Sequence, residues 1–179
     1  MSNSLDELSI WLDKAKIQER IAQIARAEDR RDGALLAQCF MPESIIDMGV
    51  FSGRFSDYIT WVVPGDPSLP VTQHTLGQTL VVLDSDSRAR AETYVTSYHR
   101  VDTGTEHRDT AIGGRYLDVV EKIDGDWKVV ERTLLYDWFS DYGQAVDWSQ
   151  GVMGLPFTAE HYVGRSEVDG DFSDQFFKG

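Results

Sequence analysis

The chain has 179 residues, with 17 Lys and Arg against 30 Asp and Glu, for a formal net charge of −13. That length suits one globular domain, and a composition 41% hydrophobic and 26% charged excludes global disorder. The acidic balance argues against a nucleic-acid surface and against anionic membranes, because both are bound through Lys and Arg.

Ser4 and Glu7 have the spacing of a capping box, and Leu5, Leu8, Leu12 and Ala15 follow at helical intervals. Ile17, Ile21 and Ile24 continue in a second phase, which predicts a helix to about Arg31 with a break near Lys14. Gly33 interrupts, and residues 34–40 read as a short helix stopped by Pro42. The single Cys39 lies in that apolar stretch and reads as a buried, inert thiol. From Ser44 the pattern becomes that of strands, beginning with residues 44–48. Pro64, Gly65, Asp66, Pro67 and Pro70 mark a loop. Residues 74–83 and 90–101 flank a turn at 84–87, and residues 111–123 and 127–138 flank Asp124-Gly125, a strong hairpin signal. Helices followed by a meander of long strands predict an α+β domain over residues 1–140, with the helices on one sheet face. Residues 141–179 form an acidic, aromatic extension, expected to pack on the domain or on a neighbouring subunit. From Asp137 onward, eight acids stand against Arg165 and Lys178. No apolar run reaches the ~18 residues that span a bilayer, and the first residues carry no secretory pattern, so the expected location is cytoplasmic.

Phosphate-binding glycine loops, dinucleotide fingerprints, paired-cysteine zinc spacings and nucleophile elbows are all missing. What remains is a small set of ionisable residues in apolar surroundings. A hairpin turning near Asp86 places His74 opposite residue 98, so His74 and His99 become neighbours at one end of the sheet. Asp29 ends the long helix, where a carboxylate opposes the helix dipole. At ~100° per residue, Glu28 falls near the centre of the isoleucine stripe. A carboxylate bonded to one histidine nitrogen fixes the tautomer and leaves the other nitrogen to move a proton. Glu28, facing an apolar cavity, could donate a proton to a leaving group, or it could pair with an arginine. Two His and one Asp are also the ligand types of an iron site, but their spacing does not match one, and no metal is expected.

Gly65-Asp66-Pro67-Ser68-Leu69 and Thr72-Gln73-His74 are followed 25 residues on by His99, with Asp29 before Asp32-Gly33 and the hairpin Ile123-Asp124-Gly125-Asp126-Trp127-Lys128. In these motifs the chain resembles the nuclear transport factor 2-like (SnoaL-like) superfamily, and scytalone dehydratases in particular. The resemblance covers roughly residues 15–140 and implies a cone-shaped α+β barrel, a curved, mainly antiparallel mixed sheet packed on N-terminal helices. It further implies a cofactor-independent elimination of water, or of another small group such as formaldehyde, from a small hydrophobic, aromatic or polycyclic substrate. Asp29 would orient one histidine, and His74 and His99 would handle protons. Two family tyrosines appear here as Glu28 and Met48, and the family's substrate-holding Ser and Asn fall near Gly114 and Tyr116, so substrate identity does not carry over. Hexachlorocyclohexane dehydrochlorinases share the Asp29 and His74 positions and an Arg matching Arg132, which could hold an anion. Met48, Phe51, Arg132, Leu134 and Tyr136 are the expected lining residues beside Glu28. The alternatives are an isomerase or cyclase using Asp29 alone as base, and a non-catalytic small-molecule-binding module. The superfamily implies a homo-oligomer, a trimer before a dimer.

Overall fold

In the computed structural model, which describes residues 3–147, 151–156, 173, 176 and 177, helix α1 (Asn3–Arg30) runs without the break expected near Lys14. The change of phase instead marks where the helix meets the sheet. Before it, Leu8, Trp11 and Leu12 are exposed; after it, Ile17, Ile21, Ile24 and Ala27 are buried. Asp13 fixes the junction by accepting from the Trp127 indole at 3.0 Å and from Lys122 at 2.9 Å.

The end of α1 is built from paired backbone bonds. Asp32 N–H reaches the Ala27 carbonyl at 2.9 Å and Arg31 N–H the Glu28 carbonyl at 3.3 Å, with Arg31 left-handed at φ 55°. A residue with a Cβ pays about 1 kcal/mol to sit there. Asp32 then caps helix α2 (Gly33–Cys39), its carboxylate accepting from Leu35 N–H at 2.9 Å. Cys39 is fully buried as expected, donates to the Leu35 carbonyl, and has its thiol pKa pushed up by burial.

Strand β1 (Phe40–Asp47) begins earlier than the sequence suggests. Pro42 sits inside it, between Phe40 and Ile45, where the register on its neighbour shifts and a missing N–H interrupts no ladder pair. β2 (Ser52–Arg54) and helix α3 (Phe55–Val62) follow; neither is in the sequence reading. α3 buries Phe55 and Tyr58 and packs Ile59 and Val62 on the core. The remaining strands are β3 (Val71–Ser85), β4 (Arg88–Asp102), β5 (His107–Ile123) and β6 (Asp126–Gln144). Asp124 and Gly125 both have positive φ, as a two-residue hairpin of this type requires.

The sheet order is β2-β1-β6-β5-β4-β3, with β1 parallel to β6 and every other pair antiparallel. The expected α+β class and mixed, mainly antiparallel sheet are therefore present, and the sheet is open. α1 lies on β3 at one end and α3 on β1 at the other. On the uncovered face Leu80, Val82, Tyr94, Leu135 and Trp138 are exposed. β6 runs past residue 140, so the sheet extends into the expected C-terminal extension; most of the rest of that extension lies outside the described residues. Within them, Arg26 donates to the Ser173 hydroxyl at 3.1 Å and stands over the Phe177 ring. Among the described residues, no helix is long and apolar enough to cross a membrane.

One irregularity in β3 decides which side chains face inward. From Thr79 to Leu83 the strand pairs with β4 in the register expected from the turn, but between Leu76 and Thr79 it takes one extra residue. Beyond that bulge His74 lies opposite Ser97, not residue 98, and His99 lies opposite Thr72. Without the extra residue, His74 and His99 would point to opposite faces, since side chains alternate along a strand. Gly77 suits the bulge, because a Cβ there would crowd the Tyr94 Cβ at 3.2 Å.

Candidate active site

Between the end of α1, α3, the 63–70 loop and the inner face of the sheet lies a cavity of about 630 Å³. Tyr58, Trp61, Val95, Ile112, Leu134 and Phe139 give it largely apolar walls, and Glu28, His74 and His99 bring ionisable groups to it. Few polar groups converging in an apolar pocket is the usual build of a small-molecule site.

Asp29 and His74 form its most constrained element. The His74 ring Nδ1 lies 2.7 Å from Asp29 Oδ1, and the His74 backbone N–H donates to Asp29 Oδ2 at 2.9 Å. Both carboxylate oxygens thus hold the same residue, and the Thr72 hydroxyl approaches Oδ1 at 3.5 Å. With Nδ1–H committed to the carboxylate, Nε2 is the nitrogen left to exchange a proton. Burial alone would depress the imidazole pKa. The hydrogen bond to Asp29, with the charges of Glu28 and Asp29, outweighs burial and raises it above the ordinary 6.5. The unfavourable placement of Asp29 at a helix C-terminus has its reason here. Asp29 itself does not line the cavity; it stands behind His74 as a positioning residue.

His99 lines the cavity beside His74, with ring centroids 6.3 Å apart and planes nearly perpendicular. The two imidazoles can therefore address one bound group. Glu28 also lines it, and the buried Tyr58 hydroxyl donates to its Oε1 at 2.8 Å. Burial, then the Glu28 charge, push the Tyr58 pKa well above its ordinary value, so this phenol stays a donor.

Met48, Leu134 and Tyr136 line the cavity, Tyr136 donating to the Met48 carbonyl. Arg132 and Phe51 do not. Arg132 is 1% exposed, gripped by Asp118 through Nε at 2.7 Å and Nη2 at 2.9 Å, and stacked 4.2 Å from the centroid of Tyr116, a ring that does line the cavity. Burial works against its charge, but the Asp118 carboxylate holds the guanidinium protonated. Glu28 therefore pairs with Tyr58, and no ion pair joins it to Arg132 among the described residues. Phe51 packs behind the wall, 5.2 Å from the Tyr58 ring and 5.5 Å from that of Trp61.

Sequence reasoning missed Tyr58, Trp61 and Arg31 as lining residues. The first two belong to α3, whose Phe55, Tyr58, Ile59 and Val62 do recur at helical spacing. Gly114 and Tyr116, the positions aligned with substrate-holding residues in the resemblance, both line the cavity. Gly114 has no room for a side chain, since a Cβ would meet the Leu135 carbonyl oxygen at 2.2 Å. Among the described residues, no group of three or more His, Cys, Asp or Glu is placed to hold a metal ion.

In comparisons with known proteins, residues 10–133 match the SnoaL-like domain. No curated protein matches the chain in sequence. Among solved structures, a scytalone dehydratase-like protein of Novosphingobium aromaticivorans is 21% identical at a TM-score of 0.67, covering 82% of this chain and 95% of that one. A type 3 hexachlorocyclohexane dehydrochlorinase of Novosphingobium barchaimii is 16% identical at 0.68, covering 85% and 98%. A protein with a cystatin-like fold from Nostoc punctiforme is 17% identical at 0.57, covering 70% and 92%. At these identities the likeness establishes the fold.

Proposed function

The chain belongs to the SnoaL-like domain family, and within it we propose that this protein is a cofactor-independent lyase that eliminates water, or another small group, from a hydrophobic ring substrate. The observation that carries the reading is the Asp29–His74 pair, set beside His99 in an apolar cavity. His74 Nε2 takes a proton from carbon next to the leaving group. The electron pair of that C–H bond forms the new double bond. The bond to the leaving oxygen breaks, and His99 or Glu28 supplies the proton with which the oxygen departs as water. The apolar walls exclude bulk water and strengthen each polar contact. Folds of this kind host many chemistries, and it is the side chains of the cavity that select one.

The isomerase or cyclase alternative needs Asp29 as the base, and both its oxygens are occupied by His74. Incubating metabolite extract with wild type and with Asp29→Asn, and comparing masses, tests the proposal. Ions lost from the wild-type sample, each replaced by one lighter by a small neutral molecule, are the expected result. Rearranged products of unchanged mass would overturn the reaction class. Tight ligand retention with no product would favour a binding module.

A further inference from the structure

Arg31 occupies a left-handed position, φ 55°, at which glycine would end α1 without strain. Its side chain lines the cavity beside Gly65, Asp66 and Leu69. Room for the guanidinium exists because residue 65 has no side chain, as a Cβ there would lie 1.9 Å from Arg31 Nη1. Nη1 donates to the Pro64 carbonyl and Nη2 to the Leu69 carbonyl at 3.2 Å. Carbonyls accept hydrogen bonds without cancelling charge. Among the described residues, no carboxylate lies within 4.0 Å of this guanidinium. Asp66 feels its charge from farther away and gives one oxygen to the Ser68 N–H at 2.8 Å. The other cavity arginine differs: Arg108 pairs with Glu106 at 2.6 Å and with Asp141 at 2.8 Å.

We propose that Arg31 is a specificity-determining contact for an anionic oxygen group, such as a carboxylate, carried by an otherwise apolar ring substrate. A guanidinium has five donors in a planar fork that suits a two-oxygen anion, and two carbonyl bonds leave donors to spare. With the anion held at Arg31, the ring body lies along the apolar walls and is oriented toward His74 and His99. The inference rests on the cavity being a substrate site, and not on the reaction being an elimination.

Two fluorescent probes test it on the full chain: anilinonaphthalene sulfonate and phenylnaphthylamine, which share a ring skeleton and differ by the sulfonate. Wild type should prefer the sulfonate by about tenfold, the scale of a charge-assisted hydrogen bond. Arg31→Met should abolish that preference while changing affinity for the neutral probe less than about twofold, and Arg31→Lys should recover part of it. Equal weakening of both probes would overturn the proposal, leaving Arg31 as a clamp on the 63–70 loop. A wild type without the preference, or a preference that survives Arg31→Met, would overturn it too. His74→Ala should keep the preference. If the preference depends on Arg31 while extract yields no mass-loss product, the elimination fails and the anion contact stands.

Discussion

Asp29 and Asp118 hold their partners in nearly the same way. Asp29 binds His74 through bonds of 2.7 and 2.9 Å, and Asp118 binds Arg132 through bonds of 2.7 and 2.9 Å. The first pair joins the end of α1 to β3 at the cavity; the second joins β5 to β6, with both side chains at or below 1% exposure. An imidazole titrates near neutrality and His74 reaches the cavity, whereas a guanidinium does not titrate and Arg132 is sealed behind Tyr116. Hydrogen-bond geometry therefore does not separate a reactive pair from a structural one. Access to the cavity and the ability to exchange a proton do.

Substitutions at the two pairs should have different consequences. His74→Ala and His99→Ala should each lower kcat/KM by about a thousandfold while the chain still folds, as removal of a proton-transfer group does. Normal turnover in both would erase the contrast. Arg132→Ala should act on stability instead, costing about 3–5 kcal/mol in urea unfolding because Asp118 is left buried and unpaired. The double variant Asp118→Leu/Arg132→Met should recover much of that loss. If it folded but lost turnover, the sealed pair would have to be counted with the site. Asp29→Asn should reduce kcat/KM by about a hundredfold and change its pH dependence. A base must be neutral, so wild-type activity falls as pH drops through the raised His74 pKa. Without the carboxylate that holds it up, the acid limb should move to lower pH. A limb that stays in place would mean that another group controls it.

Much of this arrangement was legible in the sequence. The isoleucine stripe placed Glu28 on the buried side of α1, the opposed helix dipole marked Asp29, and Asp124-Gly125 located the last hairpin. His74 and His99 were recognisable as neighbours, but their common face was not. It depends on one extra residue near Gly77, and counting back from a turn assumes an unbroken ladder. Arg132 entered the expected site through the resemblance alone; its burial is complete, but the ion pair with Asp118 and the Tyr116 ring seal it from the cavity. Phe51 was expected in the lining because α3, which stands between it and the cavity through Tyr58 and Trp61, was not foreseen. Arg31 gave no signal, since a left-handed arginine cannot be told from a helical one by residue type.

The most direct test of the central claim is which nitrogen of His74 carries the proton when the ring is neutral. Long-range proton–nitrogen NMR, recorded across the titration of the wild-type protein, reads both the tautomer and the pKa. Hydrogen on Nδ1, a bare Nε2 toward the cavity, and a pKa above 6.5 that falls in Asp29→Asn are expected. Hydrogen on Nε2, or a titration indifferent to Asp29, would contradict that claim.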